Sequence, residues 1–155
     1  MANISSLPGP VPLLVAIPTM LGERPRDRIV VVPLGRVDSI EAFSHTLPWR
    51  ADLRACRRVA RELALSAAEQ RGVESILIVV FCNSISGGTG DRPYVHLQHL
   101  VAAAAHDHNI HLAESYYVAA NGWGSYCCDD PLCEISGPRP ISELEEFARS
   151  MEMEF

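Results

Sequence analysis

Residues 83–91 read Asn-Ser-Ile-Ser-Gly-Gly-Thr-Gly-Asp, a run whose residue types and spacing could do chemistry. Glycines at 87, 88 and 90 leave backbone amides open to close approach, and amides leading into a helix suit a phosphate. Ser86, Gly87, Gly88, Gly90 and Asp91 are therefore candidate ligand-binding residues. No lysine follows the last glycine, so this is not a Walker loop, and it does not spell Gly-x-Gly-x-x-Gly. A plain glycine-rich turn is the competing reading.

The thiols form a second group. Cys127, Cys128 and Cys133 are three of the five cysteines. Structural zinc sites show two short ligand pairs, whereas only one Cys-x4-Cys spacing is present here. Cys127 and Cys128, as neighbours on a strand, would point to opposite faces. Cys128 and Cys133 are the metal candidates, and they would need His96, His99, His106, His108 or His111 to complete a set. Thiols packed like small hydrophobes are the simpler account, so no metal and no cofactor is expected.

The histidines need no chemistry, because His106, His108 and His111 gather where a protonated imidazole suits a helix C-terminus. Ser84, Ser86 and Cys82 could each be matched with a histidine and an aspartate. No nucleophile elbow selects one such set.

Arg50, Arg54, Arg57, Arg58 and Arg61 concentrate positive charge on a chain whose net charge is −6. One reading is a solvated helix face, with Arg58–Glu62 as a local pair. The other is a docking face for an acidic protein, since arginine is enriched at interface cores. Arg54, Arg57, Arg58 and Arg61, with Trp123 and Tyr126, are thus the protein-binding candidates. Nucleic acid is disfavoured, because no aromatic residue interleaves with the arginines and Glu62, Glu69 and the acidic tail would repel phosphate.

These residues must be positioned by a small globular domain. A length of 155 residues with 48% hydrophobic and 21% charged residues describes one ordinary folded unit, 1–155. No apolar run reaches the roughly 18–20 residues of a membrane helix. The N-terminal stretch lacks a basic region and is too proline-rich for a signal peptide. An odd cysteine count in apolar segments fits reduced thiols, hence a cytoplasmic protein.

Residues 1–12, with Pro8, Pro10 and Pro12, read as an irregular arm. Leu13–Ile17 and Arg28–Leu34 read as strands, and residues 35–48 resist assignment. Residues 51–71 are the clearest helix: Leu53, Cys56, Ala60, Leu63 and Ala67 make one apolar face, Asp52 suits its start, and Gly72 would serve as C′. Residues 75–82 form an unbroken apolar run, the mark of a central strand covered on both faces. A second helix spans about Pro93 to His108, closed by Asn109 in a left-handed conformation.

Residues 110–120 alternate as a strand and lead into Asn121-Gly122, a hairpin signal that would pair Ala120 with Trp123 and Tyr117 with Tyr126. The last helix, near 142–153 within a C-terminal segment 141–155, carries Leu144, Phe147 and Met151 as its stripe and Ser142–Glu145 as a capping box. The order implies an α/β fold: a mixed sheet of about five strands, an antiparallel edge hairpin, two main helices and a short C-terminal one. Passages 29–82 and 75–119 should both be right-handed parallel crossovers.

Residues 15–34 and 117–133 together resemble the family called domain of unknown function 4192. Gly22 and Pro25 match its Gly-x-x-Pro loop between two apolar segments. Gly122, Trp123, Ser125, Tyr126, Cys128, Asp130, Pro131 and Cys133 match its hairpin motif. Glu134 stands where a second adjacent cysteine often occurs, and the longer C-terminal half of many members has no counterpart in this sequence. The resemblance implies an actinobacterial cytosol, or a phage acting in an actinobacterium, and it implies no activity.

Two expectations follow. The first is a non-enzymatic binding protein that engages a host or cellular protein, or its own copy as a homodimer, through the arginine helix or the hairpin edge. The alternative is a small-molecule or nucleotide-binding domain, either a binder or an enzyme, that uses loop 86–91.

Overall fold

The computed structural model describes residues 9–36, 41–48, 52–83, 93–126, 138–153 and 155. In chain order the elements are helix α1 (Pro10–Leu21), strands β1 (Arg28–Gly35) and β2 (Phe43–Thr46), helix α2 (Leu53–Ala68), strand β3 (Val73–Phe81), helix α3 (Val95–His106), strands β4 (His111–Ala119) and β5 (Gly122–Ser125), and helix α4 (Ser142–Ser150). The strands form one mixed sheet in the order β2-β1-β3-β4-β5. It is covered on both faces, which is why β1 and β3 can be apolar without interruption. Ile29, Val31, Ile76, Ile78 and Val80 pack toward α2 and α3. Val30, Val32, Leu77, Val79 and Phe81 pack toward α1 and α4.

Leu13–Ile17 is helical rather than extended. A short apolar run fits a strand or a fully buried helix equally well by periodicity. Here the prolines decide. Pro10 and Pro12 occupy the first turn, where no amide donor is needed, and Leu14, Val15 and Ile17 have no exposed surface. Gly22 (φ 76) ends the helix by donating its N–H to Thr19 O.

β2 lies within the stretch the sequence left unassigned, and it corrects the expected topology. It pairs antiparallel with β1, which is in turn antiparallel to β3. Passage 29–82 is therefore not a parallel crossover between neighbours. The reversal at β2 makes α2 cross from β2 to β3 with β1 inserted between them, a split β-α-β unit. The second crossover is as expected: β3 and β4 are parallel neighbours joined by α3. Both steps run the same way along the sheet and place their helices on one face, as a common hand requires.

α2 begins as expected, with Asp52 accepting from Arg54 N–H, and buries Cys56, Val59, Ala60, Leu63 and Ala67. It ends earlier than the glycine suggested, with Glu69 as its cap. Gly72 (φ 82) serves a different need, because a Cβ there would sit 2.8 Å from Arg36 C. Asn109 (φ 59) closes α3 as expected.

The antiparallel hairpin of β4 and β5 is present, in a register different from the expected one. Val118 faces Trp123 and Tyr117 faces Gly124, so Ala120 and Asn121 form the turn. The Tyr117 and Tyr126 rings still meet edge to face, with centroids 5.3 Å apart. Ala113 is an extra residue against β3, and this bulge turns Leu112 toward the α2–α3 face although Tyr116 faces the other way. At α4, Ile141 precedes the first turn without a side-chain cap, so Ser142–Glu145 is not a capping box. Leu144 and Ala148 carry its packing, whereas Met151 is 57% exposed.

Candidate functional site

The carboxyl ends of the parallel pair β3 and β4 stay knitted together beyond the strands themselves. Cys82 N donates to Val118 O at 2.9 Å, and Ala120 N to Asn83 O at 3.2 Å. Across this end runs the segment 24–27, held by its entry into β1 and by Leu47 N donating to Asp27 O at 2.8 Å. The result is a crevice of about 240 Å³ lined by Arg24, Arg26, Asp27, Cys82, Asn83 and Phe155 among others. Asn83 Nδ2 donates to Asp27 Oδ2 at 3.2 Å, so an amide and a carboxylate are fixed side by side at the mouth. The Arg24 guanidinium stands 5.4 Å from the centre of the Phe155 ring.

Four described non-glycine residues are left-handed, and Asp27 is the one that lines this crevice. Asp27 (φ 50) and Tyr94 (φ 56) are non-glycine residues in the left-handed region. Such residues persist only where their surroundings hold them, and they concentrate at functional sites. Burial, and then the Asp27 carboxylate, push the Cys82 thiol up to about 11. Burial is also the main cause that raises the Tyr94 hydroxyl, followed by Cys82, Asp27 and Cys56. Tyr94 thus stands within electrostatic reach of both thiols and of the crevice carboxylate. At neutral pH these groups are a protonated thiol and a neutral phenol, able to donate hydrogen bonds.

Asn83 leads directly into the glycine-rich run. Ser84, Ser86, Gly87, Gly88, Gly90 and Asp91 lie outside the described residues, but the point where the run departs is this crevice. Pro93, the first described residue beyond the run, has a carbonyl that accepts from Tyr126 Oη. The hairpin aromatic thus holds the start of α3, and Tyr126 and Trp123 are core side chains, 4% and 1% exposed, rather than a surface for a partner. The backbone of Trp123 is taken as well: it exchanges both bridge hydrogen bonds with Arg139, at 3.0 and 2.8 Å. Arg139 lies over the indole and forms a two-pronged pair with Glu143 at 2.9 and 3.1 Å.

Cys127, Cys128 and Cys133 fall outside the described residues. Among the described residues, no group of three His, Cys, Asp or Glu side chains is placed to hold a metal ion. His96, His99, His106, His108 and His111 are exposed along and just beyond α3, and only His106 and His111 approach one another, with ring centroids 6.1 Å apart.

Arg54, Arg57, Arg58 and Arg61 all lie on the exposed side of α2. Arg54, Arg57 and Arg61, with Asp52 and Leu53, line an open depression of about 450 Å³. Leu53 and Leu65 are each 52% exposed on the same helix. The expected Arg58–Glu62 pair is replaced by His45, whose Nε2 lies 2.9 Å from Glu62 Oε2. Arg50 is outside the described residues. Sequence reasoning missed Asp27 and Tyr94, since no motif marks a left-handed residue whose conformation is imposed by packing.

The described helices include none long and apolar enough to cross a membrane. Neither the curated proteins nor the solved structures include a match to this chain. A family model does match, over residues 10–151, which covers the arginine helix, the hairpin and all of the crevice lining except Phe155. The chain belongs to the family described as domain of unknown function (DUF4192).

Proposed function

We propose that the domain binds a small anionic metabolite in the crevice at the carboxyl ends of β3 and β4, without transforming it. The observation that carries this reading is the clustering of Asp27, Cys82 and Asn83 there, with Asp27 itself held in the left-handed region. Open α/β sheets bind ligands at this end of their strands. Arg24 and Arg26 supply cations, and the Asn83–Asp27 pair supplies a donor and an acceptor. A volume of about 240 Å³ is below the roughly 300–1,000 Å³ of drug-sized sites, so the ligand is small or only its charged end is enclosed.

Thermal-shift measurements against inorganic phosphate, simple carboxylates, sugar phosphates and nucleotides test this directly. At least one should raise the melting temperature, and Arg24→Ala/Arg26→Ala, which removes the cations the anion would meet, should remove the response. No response to any of them overturns the reading.

A second reading is favoured by Leu53 and Leu65, exposed on the helix that carries the arginines. Arginine mixed with exposed leucine is interface composition, and an acidic protein is the partner it would fit. The setting that accompanies both readings is the cytosol of an actinobacterium, or of one infected by a phage. Cys56 and Cys82, both free thiols, suit that reducing compartment.

A further inference from the structure

Three large apolar side chains are exposed among the described residues: Leu53, Leu65 and Met151. They are not scattered. Leu53 and Leu65 bracket Arg54, Arg57, Arg58 and Arg61 on α2. Met151 follows directly on α4, whose exposed residues include Glu145 and Glu146, and is followed by exposed Glu152. Arg149 is the one exposed cation on α4, and Glu143 is engaged by Arg139. On α2 the exposed acids are Asp52 and Glu69, which cap its two ends, and Glu62, which holds His45. The two helices cover opposite faces of the sheet. One molecule thus carries a basic-apolar face on one side and an acidic-apolar face on the other.

We propose that this protein self-associates head to tail, the arginine face of α2 in one copy receiving the acidic face of α4 in the next. This deepens the second reading above by naming the partner as another copy of the chain. Charge decides the geometry. A two-fold pairing of α2 with α2 would set arginines against arginines, and one of α4 with α4 would set glutamates against glutamates. Only the heterologous pairing matches opposite charges while covering all three exposed apolar side chains. Because the two faces lie on opposite sides of the sheet, each copy can use both at once, which leads to a chain or a ring rather than a closed dimer.

Sedimentation velocity over a range of protein concentrations tests this. The full chain should grow in size with concentration at low salt and revert to monomer at high salt. Arg57→Glu/Arg61→Glu and Glu145→Arg/Glu146→Arg, each checked for fold by circular dichroism, should each lose self-association by roughly tenfold or more. Mixed together they should associate again, since each retains the face the other has lost. A monomeric wild-type chain at low salt, association that survives in either variant, or no complex in the mixture overturns the proposal. A poly-glutamate peptide separates this failure from that of the underlying reading. Binding to the wild-type chain and not to Arg57→Glu/Arg61→Glu would leave α2 a docking face even where self-association is absent.

Discussion

Cys82 shows how one side chain reports on the crevice. Its thiol is pushed up to about 11 from an ordinary 9.0, first by burial and then by Asp27. The sign of the effect on stability follows. Below pH 9.0 the thiol is protonated in folded and unfolded chains alike, and its full contribution is present. Between 9.0 and about 11 the unfolded chain ionises first, so stability is lost as pH rises through that window. Cys56 and Tyr94 are raised as well and add in the same direction. Denaturant midpoints should therefore fall across that range, and Cys82→Ala should make the fall shallower. For the same reason maleimide should label Cys82 slowly at neutral pH relative to the unfolded chain, as read by peptide mass spectrometry. Gly124 makes a different point at this scale. A Cβ there would lie 2.6 Å from Tyr117 Cζ, inside a ring that is 1% exposed. Gly124→Ala should destabilise by about 1–3 kcal/mol in chemical denaturation, through displacement of Tyr117 and its contact with Tyr126.

At the scale of elements, what was legible in the sequence and what was not divide along physical lines. α2 was legible because a face buried on one side leaves a period of three and four in its residues. β3 was legible because burial on both sides leaves none. α1 was not, since a helix buried nearly all round has no amphipathic period, and its first-turn prolines look like an irregular arm. β2 was hidden for the opposite reason: Phe43, Ser44, His45 and Thr46 form a short edge strand with no fully buried residue. The crevice was half legible. The strand end at Cys82 and Asn83 pointed to it, whereas Asp27 reaches it only through a conformation set by the neighbouring strands. That α1 is integral to the fold has a direct test. Leu14 has no exposed surface, so Leu14→Ala should cost about 2–5 kcal/mol, as large a loss as a substitution in the central strand. A cost below about 1 kcal/mol would mean that α1 is not seated on the sheet.

The described residues form three layers, and the sheet among them separates two cores that share no side chain. Leu63 of α2 lies in one, while Leu14 of α1 and Leu144 of α4 lie in the other, where α1 and α4 pack on each other. Coupling between substitutions should follow that partition rather than sequence distance. Leu14→Ala and Leu63→Ala remove volume on opposite sides of a layer of paired strands, so their effects should add to within about 0.5 kcal/mol. Leu14→Ala and Leu144→Ala draw on the same packed cluster, although the two residues are 130 positions apart in sequence. Once one has opened a cavity there, the second finds neighbours already relaxed, and the pair should deviate from additivity by roughly 0.5–3 kcal/mol. Urea unfolding of the singles and both doubles reads this out, provided the slope of each transition is unchanged. Equal coupling in the two cycles would mean that the sheet transmits the strain from one core to the other. The crevice, which lies at the end of that sheet, would then be open to influence from either face.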